Sequence, residues 1–336
     1  MIRSLLIVMM LAAATDASDA SVWDRALASP ADEAAKKAYD AALADGDTAT
    51  MTSTLQSASP QAKIEAVRRA EAAYRAAAEA RPRESEPYFR IGNLVYQTYF
   101  ECEQALTILC DPVYATPKRA EIVIDAWDEF ERRVPLDPRV GEILLRRAIL
   151  NTKLVNGLPT DHARLESAAR DYRAAIDRSD GLLGTRGDEQ LLGNLAETLM
   201  MLNQLDDAIA TYLQAVTVGA ARVSTVYGLA VALDRNGEGE QALRRIQGQG
   251  EIGLESFTTE FMRQAVFFVP AGESHYYFAL ANEAFGNDGA ALGYWNLYLA
   301  SGAHPEFQPR AREHVEQLRK RHVRPAPPPP FRDDPN

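Results

Sequence analysis

The sequence predicts an all-α protein, and three observations support that prediction. Ala, Leu, Glu and Arg recur at helical spacing through most of the 336 residues, while alternating runs of β-branched residues are scarce. The dipeptides Asn236-Gly237 and Gly286-Asn287 are typical of tight turns between helices. Prolines fall where helix boundaries are expected, at Pro82, Pro87, Pro135, Pro138 and Pro159.

The composition limits the classes of protein to which the chain can belong. A hydrophobic fraction of 46% is enough for a sizeable core, and the length suits two or three domains or one extended array. Two cysteines are too few for a four-cysteine metal centre. The net charge of −11 argues against general affinity for nucleic acid, because phosphate binding requires a basic face.

The first 20 residues have the pattern of a secretory signal peptide. Arg3 precedes the apolar run Leu5–Ala14, and Ser18-Asp19-Ala20 fits a small-x-small cleavage site. The run is too short for a membrane-spanning helix, which needs about 20 residues. The sequence therefore predicts an exported protein, periplasmic or secreted; the alternative is an N-terminal anchor that is not cleaved.

The two cysteines are predicted to form a disulfide bond. Cys102 and Cys110 would meet an oxidising compartment if the protein is exported. The alternative is a pair of buried thiols on one helix, since their spacing is close to two helical turns.

Residues 21–59 are predicted to be a lead-in segment that contains one helix. That helix covers Ala31–Leu43, and a polar stretch rich in Ser and Thr follows from Asp45 to Pro60. The polar stretch is interpreted as a flexible connection or a degenerate first helix. Asp45 and Asp47 flank a glycine, but the other oxygen ligands of a calcium loop are missing.

The sequence repeats itself with a period of 34 residues between 190–216 and 224–250. Small residues in this repeat would let two antiparallel helices approach closely, and Tyr212 would fill the groove beside the next unit. The corresponding positions are Leu195/Leu229, Ala196/Ala230, Leu199/Leu233, Ala208/Ala242 and Tyr212/Ile246.

Two further patterns recur along residues 60–305. The first is Tyr88-x2-Ile91-Gly92-x2-Val95, an aromatic residue followed by an apolar residue, a glycine and another apolar residue. The second places an alanine four positions before an aromatic residue, in Ala70/Tyr74, Ala126/Phe130, Ala168/Tyr172, Ala208/Tyr212 and, near the C-terminus, Ala291/Trp295. In these patterns the chain resembles the tetratricopeptide repeat (TPR) family.

The resemblance implies a right-handed solenoid of helical hairpins with about five or six repeats over residues 60–305. An insertion at about 102–118 interrupts the array, and Glu251–Gly272 fits no unit. A polar capping helix is expected at 306–322. The proline-rich tail, 323–336, is expected to be extended and disordered, either as a spacer or as a ligand for an aromatic groove.

By the same resemblance, side chains of the first helix of each hairpin line a concave face that binds a protein or an extended peptide. For any one of them, the alternative is packing within its own repeat. The predicted partner-binding residues are Phe89, Asn93, Tyr96, Gln97, Glu197, Met200, Tyr227, Asp234 and Arg235, with Glu86, Gln190 and Met201 beside them.

No pattern in the sequence calls for catalysis, a cofactor or a metal. The spacing of Gly248, Gly250 and Gly253 fits a dinucleotide-binding loop, but it follows a predicted helix rather than a strand. The five histidines form no metal-ligand motif.

Basic residues concentrate in the predicted capping helix. They would either contact an anionic surface of the cell envelope or complement the C-terminus of that helix.

The sequence thus predicts a non-catalytic, exported scaffold. The alternatives are an accessory subunit of an envelope assembly and a helical enzyme. An enzyme of this kind would require buried acidic residues with strongly shifted pKa values in one pocket.

Overall fold

The computed structural model of the protein describes residues 30–55, 57–100, 115–154, 161–179, 184–218, 222–262 and 271–327. All regular structure in these ranges is helical, which confirms the all-α prediction. Among the described helices, none combines the length and hydrophobicity needed to cross a bilayer. The predicted signal peptide, both cysteines and most of the 102–118 insertion lie outside these ranges.

The chain divides into two compact units, residues 1–136 and 137–336. The described part of the first unit contains four helices, in which α1 packs along α2, α2 contacts α3, and α3 packs along α4. Their bounds are α1 Pro30–Thr54, α2 Pro60–Ala80, α3 Glu86–Tyr99 and α4 Pro117–Arg133.

Local sequence sets the starts of α2 and α4. Ser59 and Thr116 accept hydrogen bonds from the backbone N–H groups of Ala62 and Arg119, at 3.2 and 3.4 Å. A proline follows each of these caps, because the first helical position needs no N–H donor.

Helix α1 is longer than the sequence predicts. The expected helix ends at Leu43, whereas α1 continues through the polar stretch to Thr54. Gly46, Ala49 and Ser53 are buried in this extension, and its threonine hydroxyls donate to backbone carbonyls one turn earlier. Packing against α2 therefore overrides the low helix propensity of this polar segment.

Two glycines allow close helix contact in the first unit. A methyl group at Gly46 would overlap the ring of Tyr74, and one at Gly92 would overlap the indole of Trp127. Trp127 is fully buried, and its ring centroid lies 5.3 Å from that of Tyr96.

The second unit contains ten described helices, most of which pack against the next helix in the chain. Arg147 on α5 and Asp171 on α6 form a buried bidentate pair, with two N–O distances of 2.7 Å. The bounds are α5 Val140–Lys153, α6 His162–Ser179, α7 Gly184–Met201, α8 Leu205–Val218, α9 Val223–Arg235, α10 Gly239–Gln247, α11 Gly250–Met262, α12 Ser274–Ala284, α13 Asp288–Ser301 and α14 Gln308–Lys320.

The 34-residue correspondence matches the structure of this unit. The paired residues fall on α7 and α9 or on α8 and α10, and all ten are buried. A methyl group at Gly228 on α9 would overlap the Tyr212 hydroxyl. Tyr212 on α8 therefore packs directly against α9.

Helix α11 accounts for the segment Glu251–Gly272 that fits no repeat. It packs against α9 and α10 as a single added helix, and residues 263–270 after it lie outside the described ranges. Its Phe257 is fully buried, with ring centroids 4.7 Å from Tyr227 and 5.2 Å from Phe278. As a result, α11 covers part of α9, whose residues Thr225–Arg235 are all buried.

The predicted capping helix is present as a short 3₁₀ turn, Pro305–Phe307, followed by α14, which packs on α13. The sequence predicts an extended, disordered tail from residue 323. The start of the tail is instead attached to α13, because the Ala326 N–H donates to the Gly289 carbonyl at 2.9 Å. Residues 328–336 lie outside the described ranges.

The contact between Gly92 and Trp127 can be tested by substitution. We expect Gly92→Ala to lower the free energy of unfolding by about 1–3 kcal/mol, because the added methyl group forces buried groups apart. The measurement is urea unfolding followed by circular dichroism.

Gly193→Ala is the matched control, since its added methyl group would meet only the Thr225 hydroxyl, at 3.6 Å. This control should be neutral or stabilising by up to about 1 kcal/mol, because alanine is the better helix former. Equal effects of the two substitutions would contradict the proposed close contact.

Candidate functional site

An open groove of about 330 Å³ lies between α1 and α3 in the first unit. It has both polar and apolar walls. Its lining residues are Asp47, Thr50, Met51, Tyr74, Arg90, Asn93, Leu94 and Gln97.

One wall of the groove is fixed by a hydrogen-bonded network. Asp47 accepts a hydrogen bond from the Tyr74 hydroxyl at 2.8 Å and also pairs with Arg90. The Nε of Arg90 donates to Glu86 at 2.8 Å. Burial would lower the pKa of Arg90, but its bonds to Glu86 and Asp47 raise it above its ordinary value. The guanidinium is therefore permanently charged and neutralised inside the wall.

The rest of the groove lining offers unused hydrogen-bonding capacity beside apolar surface. The Oδ1 of Asn93 is buried and has no hydrogen-bond partner, and Gln97, one turn further along α3, is exposed. Met51 is 70% exposed and faces the same groove as Leu94. Carboxamides beside flexible apolar side chains are suited to a peptide, which supplies N–H donors and side chains together.

The structure separates the four residues predicted on α3. Asn93 and Gln97 line the groove. Phe89 is partly buried, with its ring centroid 5.2 Å from that of Phe130, and Tyr96 is buried against Trp127. The prediction that Tyr96 lies on an exposed face is therefore wrong, because it packs within its own helical pair.

Sequence reasoning missed the contribution of α1 to the groove. Asp47, Thr50 and Met51 lie in the stretch interpreted as a flexible connection or a degenerate first helix, and their spacing puts them on one face of a helix. This helical spacing is the sequence signal from which the contribution of α1 could be predicted. Asp45, the other acidic residue of the rejected calcium loop, pairs with Arg69.

The residues predicted as a groove in the second unit are buried instead. Their predicted exposure is wrong, because the first helices α7 and α9 are covered by the helices packed on them. The affected residues are Glu197, Met200, Tyr227, Asp234 and Arg235. Met201 is buried too, while Gln190 is exposed.

Glu197 is a buried acid held by two tyrosines. Its Oε2 accepts hydrogen bonds from the hydroxyls of Tyr212 and Tyr277, each at 2.6 Å, while its buried Oε1 has no partner. Burial raises the pKa of Glu197 to about 7, the nearby Glu273 carboxylate adds to the increase, and the tyrosine hydroxyls oppose it. Glu197 therefore takes up a proton far more readily than an exposed glutamate.

Arg235 is buried between two aromatic rings. Its guanidinium lies 4.4 Å from the ring centroid of Tyr276 and 4.1 Å from that of Phe307. Its Nη2 is 2.7 Å from Oε1 of Glu273, and neither side chain is exposed. The pairing offsets the free-energy cost of burying two charges. A single unpaired charge at this position would strongly destabilise the fold.

Asp234 and His314 connect α9 to the C-terminal helix. Asp234 accepts hydrogen bonds at 2.7 Å from Tyr276 and Arg310, and the Nε2 of His314 lies 3.0 Å from its Oδ2. The Nδ1 of His314 lies 2.9 Å from Glu283. Burial would lower the pKa of His314, but its bonds to the two carboxylates raise it to about 9.

These buried groups join helices and are closed to a substrate. Glu197 is 5% exposed and Asp234 is fully buried, so a reactant would have to separate packed side chains to reach either carboxylate. Within the described ranges, no group of three or more His, Cys, Asp or Glu side chains could hold a metal ion.

The remaining sequence motifs lie at helix ends. Gly248 is the C-cap of α10 and Gly250 begins α11, so the glycine-rich spacing joins two helices. In α14, Arg310 pairs with the buried Asp234, and Arg319 and Lys320 lie in the last turn. Arg321, the C-cap of this helix, pairs with Asp288.

Comparison with known proteins adds no assignment: no protein-family model matches the chain, and no curated protein is significantly similar to it.

The burial of Glu197 predicts an unusual pH dependence. Its folded-state pKa of about 7 exceeds the ordinary value of 4.5, so its contribution to stability falls as pH rises from about 4.5 through 7. This loss amounts to ~3 kcal/mol by pH 8.5. We expect Glu197→Gln to increase the free energy of unfolding at pH 8.5 and to have little effect at pH 4.5.

Glu240→Gln, a change at a side chain that is 90% exposed, controls for general charge effects. The measurement is the difference between variant and wild type in urea unfolding at each pH. A difference that does not change with pH would contradict a buried, titrating Glu197.

A second prediction concerns His314. Because its folded-state pKa is raised, its stabilising contribution is complete below pH 6.5 and is lost as pH rises through 9. The His314 imidazole proton resonance, identified by its absence in His314→Gln, should titrate near pH 9. Glu283→Gln should lower that midpoint by ~1 unit, because it removes one neighbouring charge.

Glu316→Gln changes an exposed carboxylate on the same helix and should leave the His314 midpoint unchanged. A wild-type midpoint below the ordinary value of 6.5 would show that the carboxylates do not hold the imidazolium.

Proposed function

We propose that the protein is a non-catalytic scaffold of TPR-like helical hairpins, exported to the cell envelope, that binds a protein or extended peptide. The α1–α3 groove is the binding site. In the second unit, the predicted binding face serves internal packing instead.

The arrangement of buried residues supports the TPR-like character of the hairpins. In each alanine–aromatic pair, both side chains are buried on the second helix of a packed pair, on α2, α4, α6, α8 and α13. The glycines Gly92 and Gly228 lie on first helices and face an aromatic side chain of a second helix. The contact of Gly92 with Trp127 lies within one pair, whereas that of Gly228 with Tyr212 joins two neighbouring pairs, as in helical-repeat proteins.

The observation that carries the binding proposal is the open α1–α3 groove. It combines the buried, unpartnered Oδ1 of Asn93 with the exposed Gln97 and Met51. Its charged residues neutralise one another, so the groove favours an uncharged stretch of peptide over an ionic ligand. An unpaired buried acceptor is costly, and rotation of the Asn93 carboxamide toward a peptide N–H would satisfy it.

The other functions have less support. An accessory role in an envelope assembly is compatible with the same groove, but it rests on the sequence alone. A helical enzyme would require a buried acid with a strongly shifted pKa. Glu197 is the candidate, because burial raises its pKa. Its enclosure among α8 and α12 side chains argues against that role.

Site-specific photocrosslinking in intact cells tests the proposal. We expect a benzophenone amino acid at Gln97 to capture a discrete protein partner, because this side chain is exposed in the groove. The same amino acid at Lys118, exposed on α4 and not part of the groove lining, is the control. Crosslinked products would be identified by mass spectrometry.

Asn93→Ala, combined with the benzophenone amino acid at position 97, should lower the yield of the crosslink, because it removes the carboxamide that faces the peptide. Equal capture from positions 97 and 118, or capture that Asn93→Ala does not affect, would contradict binding in this groove.

A further inference from the structure

A second groove, of about 310 Å³, lies among α2, α3 and α4 in the first unit. Ile91 and Ala126, which are 5% and 7% exposed, contribute apolar surface together with Ala78 and Ile122. Tyr88 lines it as well. It shares no lining residue with the α1–α3 groove, so a ligand can occupy one groove without contacting the lining of the other.

Three charged residues line this second groove, two carboxylates and one arginine, so its lining carries a net negative charge. Arg75 pairs with Glu71 one turn back along α2, at 3.0 Å. Glu79 on α2 and Asp125 on α4 are exposed, and neither makes an ion pair or side-chain hydrogen bond within the described residues. Two helices therefore present carboxylates to one apolar groove.

The nearby arginines are committed elsewhere. Arg119 donates to Glu71 at 2.8 Å. Arg133 lies 4.6 Å from the ring centroid of Tyr88 and pairs with Glu129, which also binds Arg132. None of these arginines pairs with the two carboxylates of the groove, although Glu71 and Glu129 each bind two arginines and balance the charge of only one.

We propose that this groove binds an arginine side chain presented by an exposed segment of a partner protein. The aliphatic part of an arginine covers apolar surface, here Ile91, Ile122 and Ala126, while its guanidinium stays at the polar edge. There it meets Glu79 and Asp125, and guanidinium–carboxylate contacts are the stronger class of hydrogen bond. Shape, apolar floor and charge therefore all match the same side chain.

This inference goes beyond the proposed function, and the two can fail independently. The α1–α3 groove is internally neutralised and offers carboxamides, whereas the second groove offers carboxylates. A peptide that occupies the first groove need not carry a basic residue. Binding of a small arginine probe at isoleucine methyl groups reports only on the second groove.

Methyl NMR of the full chain, labelled at isoleucine, provides a direct test. Ile91 and Ile122 both line the groove, whereas Ile246 and Ile252 lie in the second unit. The probe is Nα-acetyl-arginine methylamide, and the neutral isostere Nα-acetyl-citrulline methylamide is its control. We expect saturable shifts at Ile91 and Ile122 with the arginine probe alone.

Charge-removing variants show whether the two carboxylates cause this binding. Glu79→Gln combined with Asp125→Asn should weaken the binding of the probe about fivefold or more, as expected for losing two exposed ionic contacts. The matched control, Glu33→Gln with Asp40→Asn, removes the same charge from α1 and should leave binding unchanged, since neither residue lines the groove.

Three results would overturn the proposal. One is the absence of saturable shifts at Ile91 and Ile122. The second is equal binding of the citrulline probe. The third is equal weakening by both double variants, which would indicate only the general attraction of a protein of net charge −11 for a cation.

Discussion

The fold depends on close contact between a small residue on one helix and a large aromatic residue on another. Gly46 faces Tyr74, Gly92 faces Trp127, and Gly228 faces Tyr212. Each glycine lets an aromatic side chain lie directly against a helix backbone, so the helices share one buried surface. Interiors are close-packed, and a single added methyl group at such a contact must displace its neighbours. The orientation of the groove-lining residues on α1 and α3 follows from these contacts.

The two units use their first helices differently. In the first unit, α1 and α3 leave a groove open between them, and its charged residues are paired within its wall. In the second unit, α11 lies on α9, and α14 is linked to α9 through Asp234. Covering polar side chains in this way forces them to find internal partners, because an unpaired buried charge is strongly unfavourable. Glu197, whose Oε1 finds none, takes up a proton more readily than an exposed glutamate.

Much of the local structure could be predicted from the sequence, because helix periodicity, proline caps and the 34-residue repeat depend on neighbouring residues. Exposure could not be predicted in the same way. Tyr227 and Asp234 are predicted to line an open face, but an added helix and the C-terminal helix cover them. The role of α1 was missed for the opposite reason, since tertiary contacts make its polar segment helical. Asn93 and Gln97, by contrast, line a groove of the described structure.

The distribution of charge limits the kind of partner that the surface can attract. The chain has 47 acidic and 36 basic residues. Many arginines are occupied internally; in particular, Arg90 is held by Asp47, Arg147 by Asp171 and Arg310 by Asp234. An arginine held in an internal pair has a fixed position and contributes little to attraction at a distance. The acidic excess therefore lies at surface carboxylates such as Glu79 and Asp125, and this charge is complementary to the basic side chain proposed for the second groove.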